Sequence, residues 1–330
     1  MVRIVILTAC ACLLAGCGGS TTIANPLPAA PEPAVSPPAQ SQLPGVVLAL
    51  AGGPEGVVVD QAGTVAVNVR QPDGLVIFNL ADPGRRRVVA MTGSARHLSL
   101  AATDGPLLVP DESDDRLVEV ALPTGQILKS IPVGRQPHDA VAVDSDTVFV
   151  GDELANTVHV IRDGVVTGVI AGPLQPGGLA ADGSVVIAVG VRGRRIIAYR
   201  SDGSVIGSAN CGVGPTHAAT GADGMFWVVD TDGGTVLGFR VDARGPRQVA
   251  RIPIGSKPYG VAYDSRRSTL WVTLTGTDEV VGLHLSGNAV RSRTVYATVQ
   301  QPNSVAVDEA TGTLLVTGST TRGAVQVIDG

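Results

Sequence analysis

The chain has 330 residues, a formal net charge of −5 and only 3% aromatic residues. Its mildly negative charge argues against nucleic acid as a partner, because nucleic-acid binding calls for a basic surface with a strong positive balance. Three of the four cysteines lie within the first 17 residues. The rest of the chain keeps only Cys211, so we expect no disulfide within the fold and predict a packing role for that residue.

An uncharged apolar run begins at Ile4 behind Arg3 and leads to the sequence Leu-Ala-Gly-Cys at residues 14–17. About ten apolar residues are too few for a membrane-spanning helix, which needs roughly 20, but they suit a signal peptide. The segment resembles the lipobox of bacterial lipoproteins, which implies acylation of the Cys17 thiol and cleavage just before it. We therefore predict a signal peptide over residues 1–16 and a lipid anchor on Cys17 at the extracytoplasmic face of the cell membrane. The alternative is an ordinary secretory signal with a chance cysteine.

The segment after the predicted lipidation site, residues 17–44, reads as a linker. It carries seven prolines among Ala, Ser, Thr and Gln, and its single charge is Glu32. Such a composition cannot bury much apolar surface and favours extended polyproline geometry at about 3.1 Å per residue. We predict a tether that holds the following domain away from the membrane.

From residue 45 to residue 330 the chain repeats about every 40 residues. Each unit begins with a leading turn, which we define as the turn before its first strand. The seven leading turns lie at residues 53–55, 94–97, 135–138, 174–177, 213–216, 256–259 and 300–303. Every unit continues with short apolar strands separated by turns rich in Asp and Gly, and none shows helical periodicity. Four short strands per period predict an all-β fold, a seven-bladed β-propeller.

Unit seven ends at Gly330 after its third strand and has no fourth. Residues 45–52 form an additional apolar strand ahead of unit one. We predict that this N-terminal strand completes the seventh blade, because a closed ring leaves no unpaired sheet edge.

The repeat resembles the YVTN/NHL-like class of seven-bladed propellers, through residues 270–273 with 279–283 and residues 314–317 with 324–329. That class includes adhesion-type proteins, streptogramin-lyase-like enzymes, calcium-dependent lactonases and sensors, so the resemblance implies the fold and leaves the function open. Residues 214–217 and 222–227 are similar to a blade of the streptogramin lyase family. In the next unit, Tyr259-Gly260 stands where that family has a second histidine. The lactonase alternative implies Glu55, Asn303 and Asp139 as calcium ligands.

The leading turns and the loops between second and third strands are expected on one face, around the mouth of the central channel. Convergent carboxylates and imidazoles there could bind a divalent cation or perform acid–base chemistry. The candidate ligand-binding residues on this face are Glu55, His97, Asp111, His138, Asp152, His217, Asp230, Tyr259 and Asn303. Counted from the turn residue, His217 lies one position later than His97 and His138, so strand alternation predicts that the three do not share one ligand.

The acidic residues that close the first hairpin of each blade, such as Asp60 and Asp308, belong to the opposite face and are predicted to be structural. The chain lacks common catalytic motifs such as Gly-x-Ser-x-Gly and His-Glu-x-x-His. We therefore expect a membrane-anchored, non-catalytic binding or scaffolding module of the cell envelope without a cofactor. Its partner would be a protein or small-molecule ligand, besides the membrane itself. The alternative is a metal-dependent, lactonase-like hydrolase or a lyase that works at the channel mouth with a divalent cation.

Overall fold

The computed structural model describes residues 27–40 and 42–330, so the predicted signal peptide and Cys17 lie outside the described residues. Within these ranges the chain forms 28 strands and no helix. None of the described segments is therefore a helix long and apolar enough to cross a membrane. The strands form seven four-stranded antiparallel sheets, which confirms the predicted seven-bladed propeller.

The first strands in chain order are β1 (Val46–Ala49), β2 (Val57–Val59), β3 (Thr64–Arg70), β4 (Asp73–Asn79), β5 (Asp82–Ala90), β6 (Ser99–Leu100), β7 (Leu107–Asp111), β8 (Arg116–Val120), β9 (Ile127–Pro132), β10 (Pro137–Ala142), β11 (Thr147–Asp152), β12 (Thr157–Arg162), β13 (Val165–Ala171) and β14 (Pro176–Asp182). The remaining strands are β15 (Val185–Gly190), β16 (Arg195–Arg200), β17 (Val205–Asn210), β18 (Pro215–Thr220), β19 (Met225–Asp230), β20 (Thr235–Asp242), β21 (Gly245–Pro253), β22 (Pro258–Asp264), β23 (Thr269–Leu274), β24 (Glu279–Ser286), β25 (Ala289–Ala297), β26 (Pro302–Val307), β27 (Leu314–Gly318) and β28 (Ala324–Ile328).

Blades one to six each use four consecutive strands, starting with β2–β5. The seventh blade has the order β1-β28-β27-β26, so its outer strand comes from the start of the domain. Strand β1 runs antiparallel to β28, with Val46 opposite Val327 and Ala49 opposite Ala324. The predicted N-terminal closure is therefore confirmed.

The hydrophobic core is divided into seven clusters, each of which fills the space between two neighbouring blades. Trp227 of blade five, for example, is buried with Leu270 of blade six. The cluster that joins the ends of the ring packs Val57 of blade one against Leu315 of blade seven. Burial of each such side chain contributes about 1.5–3 kcal/mol, so the ring is closed by apolar packing as well as by the β1 ladder.

Two structural expectations hold in the described residues. Cys211 is fully buried in the apolar cluster between blades four and five, where burial raises the pKa of its thiol. On the rim opposite the channel mouth, Asp60, Asp144 and Asp308 accept hydrogen bonds from main-chain N–H groups of their own turns. These carboxylates stabilise the hairpins, as predicted.

The described part of the linker, residues 27–40, lies on the propeller and contacts its channel-mouth face. The Ser36 hydroxyl donates to the Thr275 carbonyl at 2.7 Å, and the Gln301 side chain donates to the Ala34 carbonyl at 2.8 Å. Near blade four, Arg194 donates to the Ala29 carbonyl at 2.8 Å. This stretch therefore contributes contacts to the domain, unlike the free spacer that its composition predicts.

Candidate functional site at the channel mouth

The leading turns bring polar side chains from all around the ring to one end of the central channel. The turn residue is buried in every blade, and it is Pro in all of them except blade two, where Ala95 takes its place. The following residues of the inner strands line a cavity of about 160 Å³. Five of the predicted site residues line it, namely Glu55, His97, His217, Tyr259 and Asn303.

Three histidines meet at this mouth, which differs from the prediction that they cannot share a ligand. The ring centroid of His97 lies 4.9 Å from that of His138 and 4.4 Å from that of His217. One ring nitrogen from each lies within 4.8 Å of the others. His97 of blade two therefore lies next to the histidines of blades three and five.

Local irregularity explains why strand alternation failed here. The ladders of blades three and five each contain a one-residue bulge directly after Pro137 and Pro215, so the side chains do not alternate regularly over that stretch. In blade two the inner strand β6 begins only at Ser99, so His97 precedes the ladder. The predicted count was also wrong for blade two, because its turn residue is Ala95: His97 takes the second position after it, as His217 does after Pro215.

His138 is 5% exposed and lies between two carboxylates. Its Nδ1 is 2.9 Å from Glu112 Oε1 and 3.4 Å from Glu153 Oε2. The contact with Glu112 is close, but the N–H of His138 does not point toward the carboxylate oxygen. For this reason neither atom has an aligned hydrogen bond. We describe it as an ion pair. Burial by itself lowers the pKa of His138, but Glu112 and Glu153 outweigh it and raise the pKa to about 9.

Two arginines complete this charged cluster. Arg70 Nη2 lies 3.3 Å from Glu112 Oε2 and 3.5 Å from Glu55 Oε2. Arg96 Nε lies 3.4 Å from Glu112 Oε1. Glu153 is desolvated, which raises its pKa, but His138 and a hydrogen bond from Gln175 lower the pKa to about 2. The mouth thus brings acidic and basic groups together, with the carboxylates and His138 largely buried and the two arginines partly exposed.

The pKa values of the other two histidines are shifted in the opposite direction. Burial, and then the neighbouring His217 and His138, lower the pKa of His97 well below its usual value. Burial also lowers the pKa of His217 to about 3, although its hydrogen bond to the Tyr259 carbonyl opposes the shift. Both rings are therefore neutral near pH 7, next to a protonated His138. Groups whose pKa values are separated in this way can act as an acid and a base in one site.

His217 has a defined orientation. Its Nδ1–H donates to the Tyr259 carbonyl at 2.9 Å, and the Tyr259 ring packs against the imidazole edge-on at 4.4 Å. The nitrogen that remains free to accept a proton or to ligate is Nε2.

The remaining predicted residues have other roles. Asp111, Asp152 and Asp230 are fully buried and do not line the cavity. Asp230 accepts from the N–H groups of Val213 and Gly214 at 3.0 and 2.7 Å, and Asp152 accepts from the Gly134 N–H. Asp152 and Asp230 hold the leading turns in place, whereas Asp111 accepts from the N–H groups of Ser113 and Asp114 in the turn after its own strand.

The oxygen ligands implied by the lactonase alternative are engaged with the protein. Asn303 donates to Glu55 Oε1 at 3.1 Å. The two oxygens of Asp139 accept from the main-chain N–H groups of Ala140 and Leu179 at 2.9 and 2.7 Å. Burial raises the pKa of Asp139 to about 7. These contacts do not build a calcium-type oxygen shell.

Four members of the cluster were not among the predicted site residues. Glu112 and Glu153 directly follow Asp111 and Asp152 at equivalent places in blades two and three. That repetition in the sequence indicates that both glutamates lie at the channel mouth. Arg70 and Arg96 lie in different parts of their blades and carry no such signal. Their role emerges only when the ring brings the blades together.

Comparisons with known proteins identify the fold. No family profile and no curated protein matches the chain. Among solved structures, virginiamycin B lyase from Staphylococcus aureus is 14% identical with a TM-score of 0.69, and the match covers 86% of this chain and 99% of that one. A streptogramin B lyase is 12% identical with a TM-score of 0.71, over 87% of this chain and 98% of the other. A mitotic checkpoint complex chain is 14% identical with a TM-score of 0.72, over 89% and 96%. Likeness to proteins of such different functions establishes the propeller fold and no particular activity.

Proposed function

We propose that this protein is a lipid-anchored, extracytoplasmic propeller that binds a small polar ligand at its channel mouth. The observation that carries the binding proposal is a set of buried polar atoms without an aligned partner in the protein. Among the described residues these include Arg70 Nε, Arg96 Nε, Glu112 Oε1 and His138 Nδ1, all in one cluster. Buried polar groups are nearly always satisfied, so the concentration of these atoms at the mouth, where Arg96 also lines the cavity, supports a ligand site.

The site also limits the chemistry of the ligand. The arginine N–H groups and the His138 N–H require acceptors, whereas Glu112 Oε1 requires a donor. A cavity of about 160 Å³ is smaller than the roughly 300–1,000 Å³ of sites for drug-sized molecules. A compact compound with both donors and acceptors, such as a small hydroxy or amino acid, fits these requirements.

Calorimetry with a panel of small hydroxy and amino acids tests this proposal on the full chain. We expect saturable 1:1 binding of at least one member, with loss of binding in His138→Gln and in Arg96→Gln. His284→Gln is the matched control, because His284 lies on blade six and bonds Thr269 and Thr294. Binding that is unchanged in both mouth variants, or absent across the panel, would refute the proposed site.

The anchor proposal is supported by the lipobox at residues 14–17 and by the contacts of the described linker. Residues 27–40 lie on the mouth face, and Leu27 lies ten positions after Cys17. Ten residues reach at most about 33–36 Å, which would keep the mouth face close to the membrane. In Cys17→Ser we expect the protein to move from the detergent-extracted fraction to the soluble one. Unchanged membrane partition would rule out lipidation at this residue.

Acid–base catalysis is a second candidate, favoured by protonated His138 next to neutral His97 and by the lyase-type structural neighbours. One of those structures is a catalytically inactive histidine-to-alanine variant of virginiamycin B lyase with quinupristin. We would incubate the protein with quinupristin and a lactone panel and follow the products by mass spectrometry. Turnover that is lost in His138→Gln but retained in His284→Gln would establish an enzyme. No turnover would leave a binding protein.

A further inference from the structure

We propose that His97, His138 and His217 together bind a divalent transition-metal ion of the zinc class. This inference deepens the proposed ligand site and rests on it in one respect, because the ion would present its free coordination position to the same cavity. The residues come from blades two, three and five, so the site exists only in the closed ring.

The distances fit three imidazole ligands. One nitrogen from each ring lies within 4.8 Å of the others. Ligands of tetrahedral zinc, each about 2.0–2.1 Å from the metal, lie about 3.4 Å from each other. Small rotations of the three rings toward a common point would bring the nitrogens to that spacing. The ring of His97 already lies next to the rings of both partners.

The ring nitrogens that would not bind the metal face carbonyl or carboxylate oxygens, as they do in metal sites. His217 Nδ1 donates to the Tyr259 carbonyl at 2.9 Å, and His138 Nδ1 lies 2.9 Å from Glu112 Oε1. His97 Nδ1 faces Asp139 Oδ2 at 3.9 Å. Metal-bound histidines usually place the second ring nitrogen against a carbonyl or carboxylate in this way, which leaves Nε2 for the metal. On the Nδ1 side, His217 has a hydrogen-bonded acceptor, His138 has an ion-pair partner, and His97 has the Asp139 carboxylate at the longer distance.

The ligand set indicates which metals fit. Imidazole nitrogens suit zinc, copper, nickel and cobalt, whereas calcium and magnesium require oxygen ligands. Glu112 and Glu153, both beside His138, would offset the charge of a divalent ion inside the protein. Three protein ligands leave a fourth position for water or for the bound compound. Because His97 and His217 line the cavity, that position would open into it.

A second group of possible ligands, Glu112, His138 and Glu153, shares His138 with the first. In this group His138 would ligate through Nδ1, the atom that faces both carboxylates. The two sets make different predictions. If the three histidines bind the ion, binding requires His97 and His217, and Glu112 contributes only indirectly. If Glu112, His138 and Glu153 bind it, binding requires Glu153 and neither of the other two histidines.

Titration of the chelator-treated full chain with Co²⁺ alone tests the proposal, with the visible ligand-field bands of Co²⁺ as the readout. We expect one ion per chain and an intense spectrum typical of four or five ligands. His97→Gln and His217→Gln should each weaken binding by more than the roughly 10–100-fold expected for Glu112→Gln, an outer-contact variant. His284→Gln is the matched control and should bind like the unmodified chain.

Circular dichroism and thermal unfolding of each variant show whether it still folds, and the conservative glutamine substitutions favour that outcome. Absence of saturable Co²⁺ binding, equal weakening in His284→Gln, or dependence on Glu153 instead of His97 would overturn the proposal. If the acid panel binds but Co²⁺ does not, the metal site alone fails. If Co²⁺ binds and no panel member does, the ligand proposal fails and the metal site stands.

Discussion

The two rims of the propeller use polar residues in opposite ways. On the rim away from the channel mouth, aspartates such as Asp60, Asp144 and Asp308 recur at equivalent positions and accept main-chain hydrogen bonds of their own turns. At the mouth, the residue after the turn position differs in every blade: Glu55, Arg96, His138, Gly177, Thr216, Tyr259 and Asn303. The repeated rim satisfies its polar groups locally, whereas the irregular rim pairs residues across blades.

This difference separates the residues that maintain the fold from those available for function. The aspartates that recur on the far rim do the same structural task in each of their blades. A residue that breaks the repeat and is nevertheless buried, such as His138 at 5% exposure, needs partners that the repeat does not provide. Variants on the repeated rim should therefore affect stability alone, and variants at the mouth should affect stability together with binding.

The largest effect is expected from opening the ring, on which the contacts across the mouth depend. Deletion of residues 45–52 removes strand β1 from the edge of β28 and uncovers part of the core between blades seven and one. We expect a loss of several kcal/mol in unfolding free energy, or aggregation through the exposed edge. Chemical denaturation and light scattering measure these outcomes. An unchanged unfolding midpoint would show that β1 does not close the ring.

The charged mouth should make stability depend on pH. The folded-state pKa of His138 is raised to about 9 from 6.5, so its stabilising contribution is complete below pH 6.5 and is lost as the pH rises through 9. The contribution is up to about 3 kcal/mol. In metal-free protein we expect unfolding free energy to fall between pH 7 and pH 9.

His138→Gln should flatten that slope, and Asp60→Ala, on the opposite rim, should leave it unchanged. Measuring all three proteins by urea denaturation at each pH also cancels the contribution of Cys211, which they share. If the slope is the same with and without His138, the imidazole is not held in its charged form by Glu112 and Glu153.

A smaller effect is expected from the repeated rim itself. Asp60 is buried, and its Oδ1 accepts from the N–H groups of Ala62 and Thr64 at 2.9 and 2.7 Å. Asp60→Ala leaves these donors without their partner and should cost about 1–3 kcal/mol. Binding of Co²⁺ and of the acid panel should not change. A loss of binding in this variant would mean that the two rims are coupled and that far-rim residues do not affect stability alone.

The smallest effect is expected from the linker. Its composition predicts that removal of the whole segment would cost almost nothing, but residues 34–36 bond Thr275 and Gln301. Deletion of residues 18–40 should cost about 1–2 kcal/mol, because a few partly buried hydrogen bonds are offset by the entropy of ordering the segment. Thermal unfolding of the truncated and complete chains measures this loss of stability. Equal stability of the truncated and complete chains would show that these contacts contribute nothing net.

The repeat in the sequence was sufficient to predict the fold, the blade count and the N-terminal closure, because turn residues and alternating apolar residues act locally. It also predicted Glu55, His97, His217, Tyr259 and Asn303 at the cavity. It could not predict the meeting of the three histidines, which depends on the bulges after Pro137 and Pro215 and on the approach of blades two and five across the channel. The role of Arg70 could not be predicted either, because its partner Glu112 belongs to another blade.

We propose that the buried charged cluster at the channel mouth is a ligand site. A high-resolution crystal structure of the full chain, purified without chelators, tests it most directly. We expect an ion or small molecule that contacts His97 and His217 and supplies aligned hydrogen bonds to Arg96, Glu112 and His138, whose contacts with one another are not aligned. A mouth in which these side chains reorient to satisfy each other completely, with only solvent beside them, would contradict it.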